Sequence, residues 1–225
     1  MTKRSLRVWD LPTRLFHWTL ALCVVGLFVT GKVGGNAMVW HLRLGLFMLT
    51  LLSFRLMWGF VGARWSRFAQ FVRGPLAVWH YLRGRSPVDH LVGHSPLAGW
   101  AVIAMLAALA AQTGSGLMSD DEIAFFGPLV SQVSANTVAL ATWWHTEWGQ
   151  YLVLGIVLVH LLAIAYYAWV RRQTIVRPMF TGDQAMPEAI HLVPARDDLR
   201  LRLLGVVVLC LSGTATWALV SWATP

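Results

Sequence analysis

Eight histidines, His17, His41, His80, His90, His94, His145, His160 and His191, are the side chains of this 225-residue chain best suited to chemistry. Four of them, His17, His41, His145 and His160, stand inside or at the ends of long apolar runs. An ionisable group in such a run is costly and needs a partner or a task. His145 and His160 share the run 143–172, fifteen residues apart. On an ideal helix that is four turns plus about 60°, with a rise of about 22 Å. Both imidazoles therefore project from broadly the same face, separated by most of a hydrocarbon core. Two imidazoles facing each other across neighbouring helices are the ligand set of a low-spin b-type haem. If that is their task, the chain must supply two more histidines at matching depths.

The elements that set depth are five apolar runs, roughly 15–31, 39–61, 96–118, 147–170 and 201–222, each close to the length that crosses a bilayer. The chain is 57% hydrophobic and only 12% charged, too few charges to cover a soluble domain of this size. The expected fold is an all-α integral membrane protein: a four-helix transmembrane bundle plus a fifth C-terminal transmembrane helix, with residues 1–225 forming one domain. Thirteen tryptophans, among them Trp40, Trp58, Trp143, Trp144 and Trp222, fit belts at the lipid boundary. Pro12 is expected to break the chain before the first span. Gly31 to Asn36 should form a short connection, 62–95 a polar segment, 119–142 a loop, and 171–200 a basic segment. The basic start imitates a signal peptide, but no small-residue cleavage site follows, so the first span reads as uncleaved.

The formal charge of +8 does not indicate nucleic acid, because the basic residues flank the spans. Lys3, Arg4, Arg7 and Arg14 precede span one. Arg64, Arg67, Arg73, Arg83 and Arg85 lie between two and three, and Arg171, Arg172, Arg177, Arg196, Arg200 and Arg202 between four and five. The other side carries only Lys32. The N-terminus is thus expected in the cytoplasm and the C-terminus outside. The outer face, with Asp120, Asp121, Glu122 and Glu147, suits a basic partner and equally suits ordinary solvation.

With that orientation, His41 and His145 lie near the outer ends of their spans, and His17 and His160 toward the inner ends. The expected pairs are His41/His145 and His17/His160, each around one haem. Gly45 and Gly149 stand four residues after His41 and His145, where a porphyrin plane needs missing side-chain volume, although glycine is also common at membrane helix contacts. Arg43 and Arg55 are candidate partners of haem propionates, with snorkelling to headgroups as the alternative. His94 is a rival inner ligand, while His80, His90 and His191 read as solvated. HTEW at His145 is not HExxH, so zinc is disfavoured, and nothing suggests hydrolytic chemistry. Cys23 and Cys210 form no CxxC or CxxCH and read as small buried thiols.

The strings RVWDLPTRLFHW, GGNAMVWHLRLG, FRLMWGFVG, FVRGP, GHSPLAGW and VRPMFTG resemble the bacterial cytochrome b561 family, over about residues 5–182. That family includes the cytochrome b subunits of nickel–iron hydrogenases. The resemblance implies a haem-binding bundle with two haem b groups ligated from spans one, two and four. It places the ligands on His17, His41, His145 and His160. It also implies exchange of electrons with ubiquinone or menaquinone in a bacterial inner membrane, where the orientation read from the arginines puts the C-terminus in the periplasm.

The leading functional expectation is an electron conduit between the quinone pool and a periplasmic redox protein, either a hydrogenase-like enzyme or a c-type cytochrome. Arg14, His17 and Arg55 mark the first place to look for quinone. The alternative is a stand-alone superoxide–quinone oxidoreductase, for which Arg43 and Lys32 would supply positive potential. Membrane lipid surrounds the chain in either case, and self-association into a homo-oligomer is left open.

Overall fold

The computed structural model describes residues 3–87, 90, 92–187 and 192–223. His191 lies outside them. Strand β1 (Lys3–Arg7) opens the chain and is followed by α1 (Leu11–Val33) and α2 (Met38–Val61). Two short helices, α3 (Phe68–Phe71) and α4 (Pro75–Leu82), precede α5 (Pro96–Leu117). Then come α6 (Ala135–Trp143), α7 (Gln150–Ala165), α8 (Arg177–Thr181), β2 (Asp183–Pro187) and α9 (Leu199–Ala223). Among the described residues, five helices are long and apolar enough to cross a membrane: Leu11–Val33, Gly35–Val61, Pro96–Leu117, Ala135–Val170 and Leu199–Ala223. The chain is therefore an all-α integral membrane protein.

Four of those spans begin at a side-chain cap placed three residues before the amide it satisfies. Thr13 N–H donates to Asp10 Oδ1 at 2.8 Å and Ala98 N–H to Ser95 Oγ at 3.3 Å. Thr137 N–H donates to Ser134 Oγ at 3.3 Å and Leu201 N–H to Asp198 Oδ1 at 2.9 Å. Each removes one of the four amides that a helix start leaves without a partner.

These caps correct several expected boundaries. Helix α1 starts at Leu11, so Pro12 sits inside its first turn and not before it. Proline is tolerated there because first-turn amides need no helical acceptor. The expected loop 119–142 ends early, at the Ser134 cap. Helix α6 continues through a π-helical turn (Trp144–Gly149) into α7 and a second one (Tyr166–Val170), making the fourth span 36 residues long. A π turn holds about one residue more than an α turn, so the ideal-helix angle between His145 and His160 does not apply. The N-terminal and 171–200 segments are not merely polar. β1 pairs antiparallel with β2, with Lys3 opposite Pro187 and Arg7 opposite Asp183.

By contact the chain divides into two compact units, and the division falls within the long helices. One unit holds Met1–His17, Leu56–Ala104 and Leu158–Val207. At its centre the fully buried Asp10 accepts from Thr13, from Ser66 and, at 3.2 Å, from the Trp58 indole N–H. A buried carboxylate needs such complete satisfaction. Trp58 and Ser66 are fully buried with it. Gly205 on α9 makes room for Pro12, since a Cβ there would lie 2.8 Å from the proline ring. Asp197 gathers three arginines: Arg7 at 2.9 Å, Arg202 at 3.1 Å and Arg14 at 3.6 Å, and it also accepts from Leu11 N–H at 3.0 Å.

The other unit holds Trp18–Arg55, Met105–Val157 and Val208–Pro225. Its apolar centre is Ala108, Leu109 and Val153, packed by Leu20, Val24, Phe28, Leu52, Ile156 and Val157. Thr50 and Thr216 are hydrogen-bonded at 3.1 Å, a polar tie between α2 and α9.

Burial alone would raise the Asp197 pKa, but the hydrogen bonds from Arg202 and Leu11 N–H and the charges of Arg202 and Arg7 outweigh it and hold the carboxylate below its ordinary range. A depressed carboxylate stabilises the fold above its unfolded-state pKa, near 4, and loses that contribution as pH falls from there through its lower folded-state pKa. Asp197→Asn should therefore lower the thermal midpoint in detergent near pH 7, with the gap to the parent closing as the pH is taken down below about 4. Tryptophan fluorescence on heating reads both, and a gap independent of pH would remove Asp197 as its source.

Candidate functional site

Of the four span histidines, His41 and His145 lie in one unit and His17 and His160 in the other. His41 is on the first turn of α2, and His145 is on the π turn Trp144–Gly149. Their ring centroids are 6.0 Å apart, with ring planes crossing at 81°. His41 Nδ1 lies 3.0 Å from the Leu27 carbonyl on α1, and Thr30 Oγ1 approaches it at 3.3 Å. His145 Nδ1 lies 2.9 Å from the Gln112 carbonyl on α5, and Ser115 Oγ lies 3.4 Å away. A carbonyl only accepts, so each Nδ1 carries the proton and each Nε2 carries the lone pair. Two imidazoles are thus fixed in the same tautomer, with the nitrogen that binds metal left over.

Helix α5 carries no span histidine, yet it shapes this site. The Gln112 side-chain N–H donates back to the His145 carbonyl at 2.9 Å, closing a reciprocal pair with His145 Nδ1–H. A Cβ on Gly116 would lie 2.7 Å from His145 Cε1, so the glycine admits the ring. Gly31 does the same for His41, at 3.1 Å. Sequence reasoning passed over Gln112, Ser115 and Thr30. The available signal was a polar residue facing inward from an otherwise apolar helix, since such groups seek partners in a membrane. Gly45 faces open space, with no atom within 4 Å of a Cβ. At Gly149 a Cβ would collide with Gln112 Oε1 and lie 2.6 Å from Trp144 Nε1, so the missing side chain makes room for both residues.

In the other unit, His17 on α1 and His160 on α7 are half-buried. His94 is set between Trp9 and Phe71, with ring centroids 4.7 and 4.6 Å away, so its surroundings are those of a packed aromatic. His80 is exposed. Arg55 is only 4% exposed, which removes headgroup snorkelling as its explanation. Arg43 is exposed and lies over the Trp40 ring at 5.0 Å. The Arg14 guanidinium is held by the Phe180 carbonyl and Asp197. Cys23 is buried, whereas Cys210 is exposed, contrary to its reading as a buried thiol.

The geometry discriminates between metal centres. Among the described residues no group of three or more His, Cys, Asp or Glu could hold an ion. A metal between two protein imidazoles needs its other ligands from a prosthetic group, as the four nitrogens of a porphyrin provide. A metal–nitrogen bond of about 2 Å, plus about 1.1 Å from nitrogen to ring centre on each side, requires centroids roughly 6 Å apart. The His41/His145 pair meets that spacing, so the residues present fit a haem.

Residues 8–182 match the family model described as prokaryotic cytochrome b561. A probable Ni/Fe-hydrogenase B-type cytochrome subunit of Rhizobium leguminosarum bv. viciae is 26% identical over 218 residues, covering 81% of this chain and 90% of the relative. A protein of the same description from Bradyrhizobium diazoefficiens is 27% identical over 220 residues, covering 80% and 86%. A probable Ni/Fe-hydrogenase 1 B-type cytochrome subunit of Escherichia coli K12 is 25% identical over 214 residues, covering 78% and 88%. No solved structure matches the chain.

The reciprocal Gln112–His145 pair has a measurable consequence. Gln112→Leu keeps the volume and removes the donor to the His145 carbonyl, a loss of about 1–3 kcal/mol for a buried acceptor left unmade. Equilibrium unfolding in detergent should show that loss, while Gln112→Asn, too short to bridge, should resemble Leu. Unchanged stability in both would mean the clamp is not formed.

Proposed function

This chain belongs to the prokaryotic cytochrome b561 family, and on that premise we propose that it carries electrons through two haem b groups between a membrane quinone and a redox protein. It is a multi-pass b-type membrane cytochrome. One haem is ligated by His41 and His145 and the other by His17 and His160. When bound, each haem supplies one-electron chemistry at its iron.

The observation that carries the reading is the His41/His145 pair, 6.0 Å between ring centres with both Nδ1–H groups anchored on carbonyls. What the chain's own residues contribute follows from that anchoring. Leu27 and Gln112 hold the rings in orientation and make Nε2 a better donor, because a hydrogen-bonded N–H raises the basicity of the opposite nitrogen. Gly31 and Gly116 admit the rings, and the apolar groups Ala108, Leu109 and Val153 exclude water from the same unit. Ligand geometry and low polarity are what set a haem's potential in such a site.

The chain is placed in a bacterial inner membrane, N-terminus in the cytoplasm, following the arginine asymmetry of the sequence. The relatives are described as hydrogenase subunits, and a hydrogenase-like enzyme on the periplasmic side, or a c-type cytochrome there, is the redox partner of this reading. Ubiquinone or menaquinone is the exchangeable substrate on the membrane side. Asp120, Glu122 and Glu147 line one open depression beside Trp143, giving that face an acidic surface for the partner.

The test begins with haem. The purified protein should show a reduced alpha band and two haems per chain by pyridine haemochrome. His17→Ala or His160→Ala should remove one haem, and His41→Ala or His145→Ala the other. Retention of both in any of these four variants refutes the pairing. A short-chain quinol should reduce the parent and lose access to one haem in each variant.

A further inference from the structure

Helix α4 (Pro75–Leu82) belongs to neither histidine pair, and its eight residues divide into two faces. Leu76, Trp79 and Leu82 fall within about 120° of arc on an ideal helix. They are 66%, 50% and 63% exposed. Ala77, Val78 and Tyr81 occupy the opposite arc and are half-buried. An apolar outer face is out of place in water.

Two hydrogen bonds state where α4 lies instead. The Tyr81 hydroxyl bonds the Tyr167 hydroxyl, near the end of the span Ala135–Val170. The Trp100 indole N–H, near the start of the span Pro96–Leu117, donates to the Arg73 carbonyl at 2.8 Å. Both ends of α4 are therefore tied to places where spans leave the hydrocarbon. A short helix held at that level, with a tryptophan and two leucines outward, has the character of an interfacial helix.

Its charges point to what covers it. Residues 64–85 contain Arg64, Arg67, Arg73, Arg83 and Arg85 and no Asp or Glu. Among the described residues no carboxylate pairs with Arg73, Arg83 or Arg85. The Arg83 guanidinium lies 4.1 Å from the Trp79 ring centre, so it is already ordered at the edge of the apolar face. Arginine binds phosphate oxygens in a two-point geometry that a lysine lacks.

We propose that α4 lies in the headgroup layer, with Leu76, Trp79 and Leu82 in the acyl boundary, and that Arg73 at its start and Arg83 and Arg85 at its end bind phosphates of anionic phospholipids. This depends on the membrane spans and on neither haem. The occupant is a bilayer lipid, because the apolar face and the arginines must be satisfied together.

The full-length protein in a mild detergent can be titrated with phosphatidylglycerol and phosphatidylcholine of equal chain length, with bound lipid counted by native mass spectrometry. The parent should prefer phosphatidylglycerol. Each arginine near the surface contributes about fivefold, so Arg73→Gln with Arg83→Gln and Arg85→Gln should weaken phosphatidylglycerol binding at least tenfold and leave phosphatidylcholine unchanged. Arg85→Gln alone, at an exposed position, should weaken it about fivefold if the triple variant does not fold. Equal binding of the two lipids by the parent, or phosphatidylglycerol affinity unchanged in the triple variant or in Arg85→Gln, overturns the proposal. So does displacement by soluble glycerol phosphate at the lipid's own concentration, which would mark a free-phosphate site.

Discussion

An imidazole inside an apolar span has two nitrogens and almost nothing to bond, and the bonds from His41 to the Leu27 carbonyl and from His145 to the Gln112 carbonyl answer that problem. Each satisfies the N–H, sets the tautomer and leaves one lone pair. The rest of the unit follows from keeping those two rings where they are. Gly31 and Gly116 stand where a Cβ would meet the rings, and Gln112 returns a second hydrogen bond to the strand of backbone that carries His145. The π turn at Trp144–Gly149 fits the same logic, since such turns re-aim one side chain and leave a carbonyl open to an outside donor.

A helix whose surface is apolar nearly all round has little to locate its ends, and here polar side chains do so. Asp10, Ser95, Ser134 and Asp198 cap four spans. Two of these positions join larger networks: Asp10 with Trp58 and Ser66, and Asp198 beside Asp197, which collects Arg7, Arg14 and Arg202. The arginines that indicate orientation by number are thus partly structural. Arg7 and Arg14 bind carboxylates, whereas Arg73, Arg83 and Arg85 face no carboxylate among the described residues and remain available to lipid phosphate.

These features suit an electron carrier. A metal held between His41 and His145, whose rings are each anchored on a carbonyl, would change charge by one electron with little rearrangement of its ligands. The polar residues named above serve caps, ion pairs and ring orientation. The family and the described relatives, all B-type cytochromes, agree with an electron-transfer role.

Much of this was legible in the residues themselves. Run length and composition determined five spans and the membrane class, because the bilayer imposes a length and a polarity on any segment that crosses it. Histidine position determined which imidazoles share a depth, because a helix rises a constant distance per residue. The unexpected features came from side chains that act over long sequence separations. Gln112 lies 33 residues from His145, Asp197 lies 190 residues from Arg7, and strand β1 meets β2 across most of the chain. Local pattern does not record such pairings. Nor does it record a π turn, whose extra residue is stabilised by a donor on another helix, or that Gly45 faces open space while Gly149 makes room for Gln112. Type and spacing made His41 and His145 candidates to share a metal, while only the tertiary structure decided which nitrogen of each is left over, since that depends on a carbonyl that the histidine's own helix does not supply.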